Sequence, residues 1–277
     1  MVPLYTYSDQ NKNRIRELAN QLRSKHGAMR WGITPEDLLK VEGVKCHEYD
    51  LSEEGFFKKL KRGIVNIAKK VKAALFVPEK LVVVDFDLHP AKKPFGKMHE
   101  LGHNTIPEHR DILYVCSEHD LDPNVRIAME FEANLFASEA LYPGPLMRSI
   151  HTNYPLAMET ILHLSELSGG SIHSSAIKYV ETSDEVCALL TLEKSEEEGT
   201  DGLKLRTQIP STPFFKKYKR IFADGQFISR EHNLASVVFA NPADEIIKTE
   251  ITIRNRNVHF NVHLFYNRYI VLALVLE

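Results

Sequence analysis

The sequence predicts a mixed α+β protein: helices with a small sheet, then a helix-turn-helix-like segment, then a C-terminal, mostly antiparallel β unit. Three observations predict this class. A β-branched run at 80–89 precedes an apolar helical pattern that begins near Pro94. Two further helical patterns lie on either side of the short segment 169–171. Beyond residue 203, apolar residues alternate with polar ones at the period of two that is typical of strands.

The helical pattern after the first strand contains His-Glu-Leu-Gly-His at 99–103. In a helix, His99 and His103 project from one face about one turn apart, so both imidazoles can reach one zinc ion at about 2.0–2.1 Å. Glu100 lies about 100° round the helix, where it can take a proton from a water that zinc activates. The alternative is an amphipathic helix with ordinary surface residues. The preceding strand and tight connection favour the metal site, because this is the element order of a zincin-like metallopeptidase domain.

A catalytic zinc site needs a third protein ligand and an open position for water. The helical pattern at 122–142 supplies a candidate, with Asp122 as its N-cap. Glu130 and Asn134 are four residues apart and share one face, so we expect Glu130 to bind zinc and Asn134 to hydrogen-bond a ligand histidine. Glu132 is the rival ligand, about 200° away around the helix, and is expected to face solvent.

These residues resemble the ImmA/IrrE family of zinc metallo-endopeptidases. The similar segments are KMHELGHN at 97–104, EFEANLFASEALYP at 130–143, RIRELANQLRSKHG at 14–27 and TPEDLLKVEGVKCHEYDL at 34–51. The resemblance extends from about residue 10 to about residue 185. Two departures are Met98, where many members have alanine, and the segment after His103, in which Pro107 is expected to end the helix early.

The resemblance implies that His99, His103 and Glu130 bind zinc and that Glu100 is the general base. It also implies a protein substrate, typically a transcriptional repressor. The predicted function is therefore hydrolysis of a peptide bond by a zinc-dependent endopeptidase. An extended substrate is expected to pair with the strand at 82–87, as peptides do with edge strands. Three residues are considered as donors to the oxyanion: Tyr142, His109 and His163.

Two other functions stay open at the level of sequence. One is a non-catalytic, zincin-like regulatory protein that binds a protein or DNA partner, a role for which Glu100 would not be needed. The basic stretch 53–77 favours a nucleic-acid partner, but its apolar residues fall at helical spacing, so its lysines and arginines are expected to form the solvated face of a packed helix. The other is a zinc hydrolase that acts on a small amide.

Composition sets further expectations. The net charge is −2, with 35 basic and 37 acidic residues, and so demands neither a nucleic-acid nor a membrane partner. Three widely separated cysteines do not suggest a disulfide framework. No apolar stretch approaches the ~20 residues of a membrane span and no signal peptide is visible, so a cytoplasmic location is expected. The oligomeric state is left open.

The sequence suggests three parts. Residues 1–150 are expected to form the zincin-like domain, and residues 151–192 a helix-turn-helix-like segment packed on it. Residues 203–277 are expected to form a C-terminal α+β domain of unknown role, after an acidic, exposed linker at 193–202. The helical pair is a poor DNA reader, because Lys178 is its only basic residue.

Overall fold

A computed structural model describes most of the chain, namely residues 8–27, 29–49, 73–76, 79–115, 122–197, 199–253, 258–267 and 269–277. Helices and sheets both occur in it, so the mixed α+β class is confirmed. The chain forms two compact units, Met1–Leu146 with Leu167–Ser171 and Met147–Glu166 with Ile172–Glu277. The division falls close to residue 150, and residues 172–192 group with the C-terminal part in one unit.

The first unit contains a small sheet and several helices. Its described elements are α1 (Asp9–Lys25), α2 (Pro35–Val41), β1 (Lys45–Tyr49), β2 (Ala73–Phe76), β3 (Leu81–Asp85), a 3-10 turn (Pro90–Lys92), α3 (Lys93–Thr105), α4 (Pro107–Val115) and α5 (Pro123–Leu141). The helix expected at 53–77 is wrong over Ala73–Phe76, because these residues pair with β3 as a strand. The remainder of that expected helix, up to residue 72, lies outside the described residues.

The sheet of the first unit has the order β1-β3-β2, with β3 in the centre. β3 pairs in parallel with β1 and antiparallel with β2, and the side chains of Val82, Val83 and Val84 are fully buried. The strand expected at 80–89 is therefore present as Leu81–Asp85. Its expected role as a substrate-binding edge is wrong, because both of its backbone edges are already hydrogen-bonded.

Helices α3 and α5 pack closely in the first unit. Met98 and Leu101 of α3 and Ala133 and Phe136 of α5 have no solvent exposure. The contact is closest at Gly102, where an added Cβ would lie 3.1 Å from Cδ1 of Phe136 and 3.3 Å from Cα of Ala133. Small residues at this crossing allow the two backbones to approach, which places the polar residues of α3 opposite those of α5.

The helical conformation is interrupted between α3 and α4. Ile106 caps α3 in an extended conformation, and its side chain is fully buried. Pro107 begins α4, since proline has no N–H to continue the hydrogen bonding of α3 but fits the first position of a new helix. The early end of the helix that the sequence predicts at Pro107 is confirmed, and a second helix follows at once.

The second unit is built on a six-stranded antiparallel sheet with the order β6-β5-β4-β9-β8-β7. Its elements are α6 (Gly144–Asn153, whose first residues belong to the first unit), α7 (Met158–Ser168, whose last two residues belong to the first unit), α8 (Ile172–Glu181), β4 (Cys187–Glu197), β5 (Thr200–Pro210), α9 (Thr212–Tyr218), β6 (Phe227–Ser229), α10 (Asn233–Ala240), β7 (Ile246–Ile253), β8 (Val258–Tyr266) and β9 (Val271–Leu276). A buried cluster that includes Phe214, Leu234 and Phe260 joins α9 and α10 to the sheet. The mostly antiparallel C-terminal unit is present, with more strands than the two or three that the alternation suggests.

The linker expected at 193–202 is wrong. β4 continues to Glu197 and β5 starts at Thr200, so most of this acidic segment forms a β-hairpin. The positive φ of Gly199, 73°, allows the tight reversal between the strands. A polar composition suits this place as well as a linker, because Gly199, Thr200 and Asp201 at the reversal are exposed.

The helical pair around 169–171 is present as α7 and α8, separated by three residues. Lys178, the basic residue on which DNA reading would depend, is 8% exposed. A buried lysine is poorly placed to contact phosphates, so the pair carries no basic surface of its own. None of the helices in the described part of the chain has the length and apolar character that a membrane span requires.

We predict opposite effects for two glycine substitutions in α3. Gly96→Ala should raise the free energy of unfolding by about 0.5–1 kcal/mol, because alanine favours helix and its Cβ would meet Cβ of Ala73 at an ordinary 3.6 Å. Gly102→Ala should lower it by about 1 kcal/mol, because its Cβ would press on the backbone of α5. Urea denaturation of both variants measures the difference, and equal gains in stability would contradict the close helix contact.

Candidate metal centre

Two imidazoles and one carboxylate converge in the first unit. His99 and His103 project from α3, and their Nε2 atoms are 3.2 Å apart. Glu130 of α5 places Oε2 at 3.3 Å from Nε2 of His99 and Oε1 at 3.4 Å from Nε2 of His103. The helical spacing of four aligns the histidines, and the α3–α5 contact brings the carboxylate to them.

These separations match those of ligands around one small cation. Metal–ligand bonds of 2.0–2.1 Å in a tetrahedron give ligand–ligand distances of about 3.3–3.4 Å. Ligand atoms of the three residues all lie within 4.8 Å of one another, and in the described part of the chain no other group of three metal-binding side chains converges in this way. His99, His103 and Glu130 can therefore hold a metal ion. The structure brings together the three residues that the sequence predicts as ligands.

A hydrogen bond orients one of the two imidazoles. Oδ1 of Asn134, one turn after Glu130 on α5, lies 3.1 Å from Nδ1 of His99. Because an amide oxygen can only accept, Nδ1 of His99 carries the proton and Nε2 keeps its lone pair for the metal. The sequence predicts that Asn134 hydrogen-bonds one of these histidines, and the structure places it there.

The charges of the site favour a cation. Burial lowers the pKa of His99, but the carboxylates of Glu130 and Glu100 outweigh it, so this pKa is raised. Burial raises the pKa of Glu130, but the adjacent imidazoles of His103 and His99 outweigh it and hold that pKa far below its ordinary value. The carboxylate of Glu130 is therefore ionised near neutral pH, as a metal ligand must be.

Glu100 lies next to the ligands but does not belong to the converging group. It follows His99 on α3, its carboxylate raises the pKa of that histidine, and the residue is 9% exposed. A carboxylate held beside the ligands and mostly out of water can accept a proton from a molecule bound at the centre. Its role as a general base stays a prediction.

Glu132 does not face solvent, so that expectation is wrong. Its side chain is 13% exposed, and its Oε2 lies 2.8 Å from Nε2 of His109 on α4. Its Oε1 accepts a 2.6 Å hydrogen bond from the side chain of Asn11 on α1. Burial raises the pKa of Glu132, but these hydrogen bonds outweigh it and lower that pKa. The sequence alone does not reveal this pair, because the two residues meet only through the break at Pro107.

The three residues considered as donors to the oxyanion lie in different environments. His109 is 2% exposed and its Nε2 contacts Glu132, and Tyr142 is 1% exposed. His163 lies in the second unit on α7, 3.8 Å from Glu166. His109 is thus unsuited to donate to a substrate, because its ring is enclosed and its Nε2 donor is engaged.

Comparisons with known proteins show the fold alone. No protein-family model matches the chain, and no curated protein matches it. Among solved structures, it is similar to a Mycobacterium tuberculosis transcriptional regulator, with a TM-score of 0.60 and 14% sequence identity. The similarity covers 97% of this chain and 78% of the other.

We predict that Glu130→Ala lowers bound metal well below one equivalent per chain, because two histidines alone do not complete the ligand set. Glu108→Gln is the control, since it changes an exposed carboxylate on α4 that pairs with Arg14 and does not belong to the converging group. The measurement is elemental analysis after dialysis against a small excess of zinc chloride. A full equivalent of bound zinc in Glu130→Ala would show that the wrong carboxylate is assigned.

Proposed function

We propose that this chain is a zinc-dependent endopeptidase of the ImmA/IrrE kind, with a zincin-like first unit that hydrolyses a peptide bond in a regulatory protein such as a transcriptional repressor. The observation that carries the proposal is the convergence of two Nε2 atoms and one carboxylate beside Glu100. Two imidazoles and a carboxylate form a ligand set that is typical of catalytic zinc in hydrolases. Three protein ligands leave one position for water or substrate.

A zinc ion held by these ligands would supply Lewis-acid chemistry, which polarises a carbonyl and makes water a better nucleophile at neutral pH. Side chains of this protein orient the ligands and transfer the proton. Asn134 fixes the ring of His99 through its 3.1 Å contact with Nδ1. Glu100 accepts the proton of the attacking water and passes it to the leaving amine, which is general base and then general acid catalysis by one group.

The small sheet offers a place for an extended substrate. Among the described strands, β2 pairs only with β3 and so forms an edge of the sheet. β2 also adjoins the metal-binding helix, since an added Cβ at Gly96 of α3 would meet Cβ of Ala73 at 3.6 Å. We therefore assign peptide pairing to the backbone of β2 in place of the central strand β3.

A specific observation favours a second candidate function. The similar solved structure is named a transcriptional regulator, which fits a non-catalytic protein that binds a protein or DNA partner. Such a protein would use the metal, if it holds one, to stabilise its fold. The two functions differ in whether Glu100 matters, because a structural site needs no proton acceptor beside it.

We predict that Glu100→Gln keeps one zinc per chain but lowers peptide cleavage by about 10²–10⁴-fold, the usual contribution of a general base. The substrate is a library of proteome-derived peptides, in which mass spectrometry detects new amino termini. Glu108→Gln, a surface change on α4 that leaves α3 and α5 intact, is the control and should cleave like the unsubstituted protein. Unchanged cleavage by Glu100→Gln would refute the base assignment. Stoichiometric zinc with no cleavage by the unsubstituted protein would favour the regulator.

A further inference from the structure

The two ligand histidines are oriented by different means. His99 has the amide of Asn134 at its Nδ1. Nδ1 of His103 is buried and has no hydrogen-bond partner within the described part of the chain. Ligand histidines are usually fixed by a hydrogen bond at the second ring nitrogen. Another contact must therefore fix the ring of His103.

The ring of His109 provides that contact. Its centroid lies 5.1 Å from the centroid of the His103 ring, with 40° between the two planes. His109 is 2% exposed and His103 is 6% exposed, so neither ring has room to turn into solvent. On the other side, Nε2 of His103 points to His99 and Glu130. The His103 ring is thus held between the converging ligand atoms and the His109 ring.

The break between α3 and α4 makes this packing possible. In an uninterrupted helix, a residue six positions after His103 would lie about 9 Å further along the axis and about 240° around it, facing away. The extended conformation of Ile106 and the new start at Pro107 redirect the chain. His109, in the first turn of α4, returns to the His103 ring as a result.

The His109 ring is itself fixed from two other helices. Oε2 of Glu132 on α5 accepts from its Nε2 at 2.8 Å, and Asn11 of α1 donates to Oε1 of the same carboxylate at 2.6 Å. Arg14 of α1 also pairs with Glu108 of α4 at 3.0 Å, at a more exposed position. Asn11, Glu132 and His109 therefore form a partly buried chain of hydrogen bonds that ends beside a ligand ring.

We propose that His109 is a positioning residue for the metal centre: held by Glu132, its ring packs on His103 and fixes the direction of His103 Nε2. The proposal rests on the proposed zinc centre. His109 touches neither metal nor substrate in this role, and it acts through the ligand His103. The Asn134–His99 hydrogen bond and the His109–His103 ring contact then orient the two ligand histidines in different ways.

Three variants of the full-length protein test the proposal. His109→Ala removes both the ring and its hydrogen bond to Glu132. His109→Phe restores a planar ring of similar size but leaves the carboxylate of Glu132 without its histidine. Glu108→Gln weakens the neighbouring α1–α4 ion pair without touching His103, and so controls for a general loosening of α4.

The measurements are the zinc dissociation constant by chelator competition, the visible absorption spectrum with cobalt(II) in place of zinc, and urea denaturation of the metal-free protein. We expect His109→Ala to weaken zinc binding about 10–100-fold and to shift the cobalt bands. His109→Phe should bind zinc within about threefold of the unsubstituted protein, although its metal-free form is less stable. Glu108→Gln should match the unsubstituted protein in zinc affinity and cobalt spectrum.

Two results would overturn the positioning role. One is zinc affinity in His109→Ala within about threefold of the unsubstituted protein, with an unchanged cobalt spectrum. The other is a loss in His109→Phe as large as that in His109→Ala, which would assign the effect to stability and not to ring packing. Failure of the unsubstituted protein to bind zinc or cobalt would instead refute the metal centre itself, and the positioning role with it.

Discussion

The close packing of α3 against α5 is the constraint on which the candidate metal centre depends. Gly102 lets the backbone of Ala133 come within van der Waals distance of α3, where any larger side chain would hold the helices apart. Because Glu130 lies one turn before the Ala133 region on α5, its carboxylate reaches His99 and His103 only at this separation. An apolar contact thus sets the distances of a polar site.

Because α3 and α5 cross here, several side chains of α5 contact or orient the residues of the site. Helix α3 supplies both imidazoles, and α5 supplies the carboxylate of Glu130 beside them, the amide of Asn134 that contacts His99 and the carboxylate of Glu132 that contacts His109. Three polar residues on α5 therefore act on α3 directly or through α4. Each contact limits the freedom of a ring, and a ring that is already oriented loses less entropy when it binds a cation.

Local periodicity made much of the site predictable. A spacing of four fixes the shared face of His99 and His103, and the same rule places Asn134 one turn after Glu130. The N-cap at Asp122 is also a local signal, and its side chain accepts a hydrogen bond from Asn124 as expected. Such features depend only on residues within one helical turn, so the local sequence is enough to predict them.

Features that depend on contacts between residues far apart in the sequence could not be predicted. A buried strand has the same composition whether it lies in the centre or at the edge of a small sheet, so the central place of β3 could not be seen. The hairpin at 193–202 has the polar residues of a linker, because the residues at its reversal are exposed. The partnership of Glu132 with His109 depends on a turn of the chain at Pro107 whose direction the sequence does not encode locally.

The proposed centre places one zinc ion between α3 and α5. Anomalous X-ray diffraction at the zinc edge, from crystals grown with one equivalent of zinc, would locate that ion. We expect one strong peak about 2.0–2.2 Å from Nε2 of His99, from Nε2 of His103 and from a carboxylate oxygen of Glu130. A well-occupied zinc peak elsewhere, or none at these side chains, would contradict the claim.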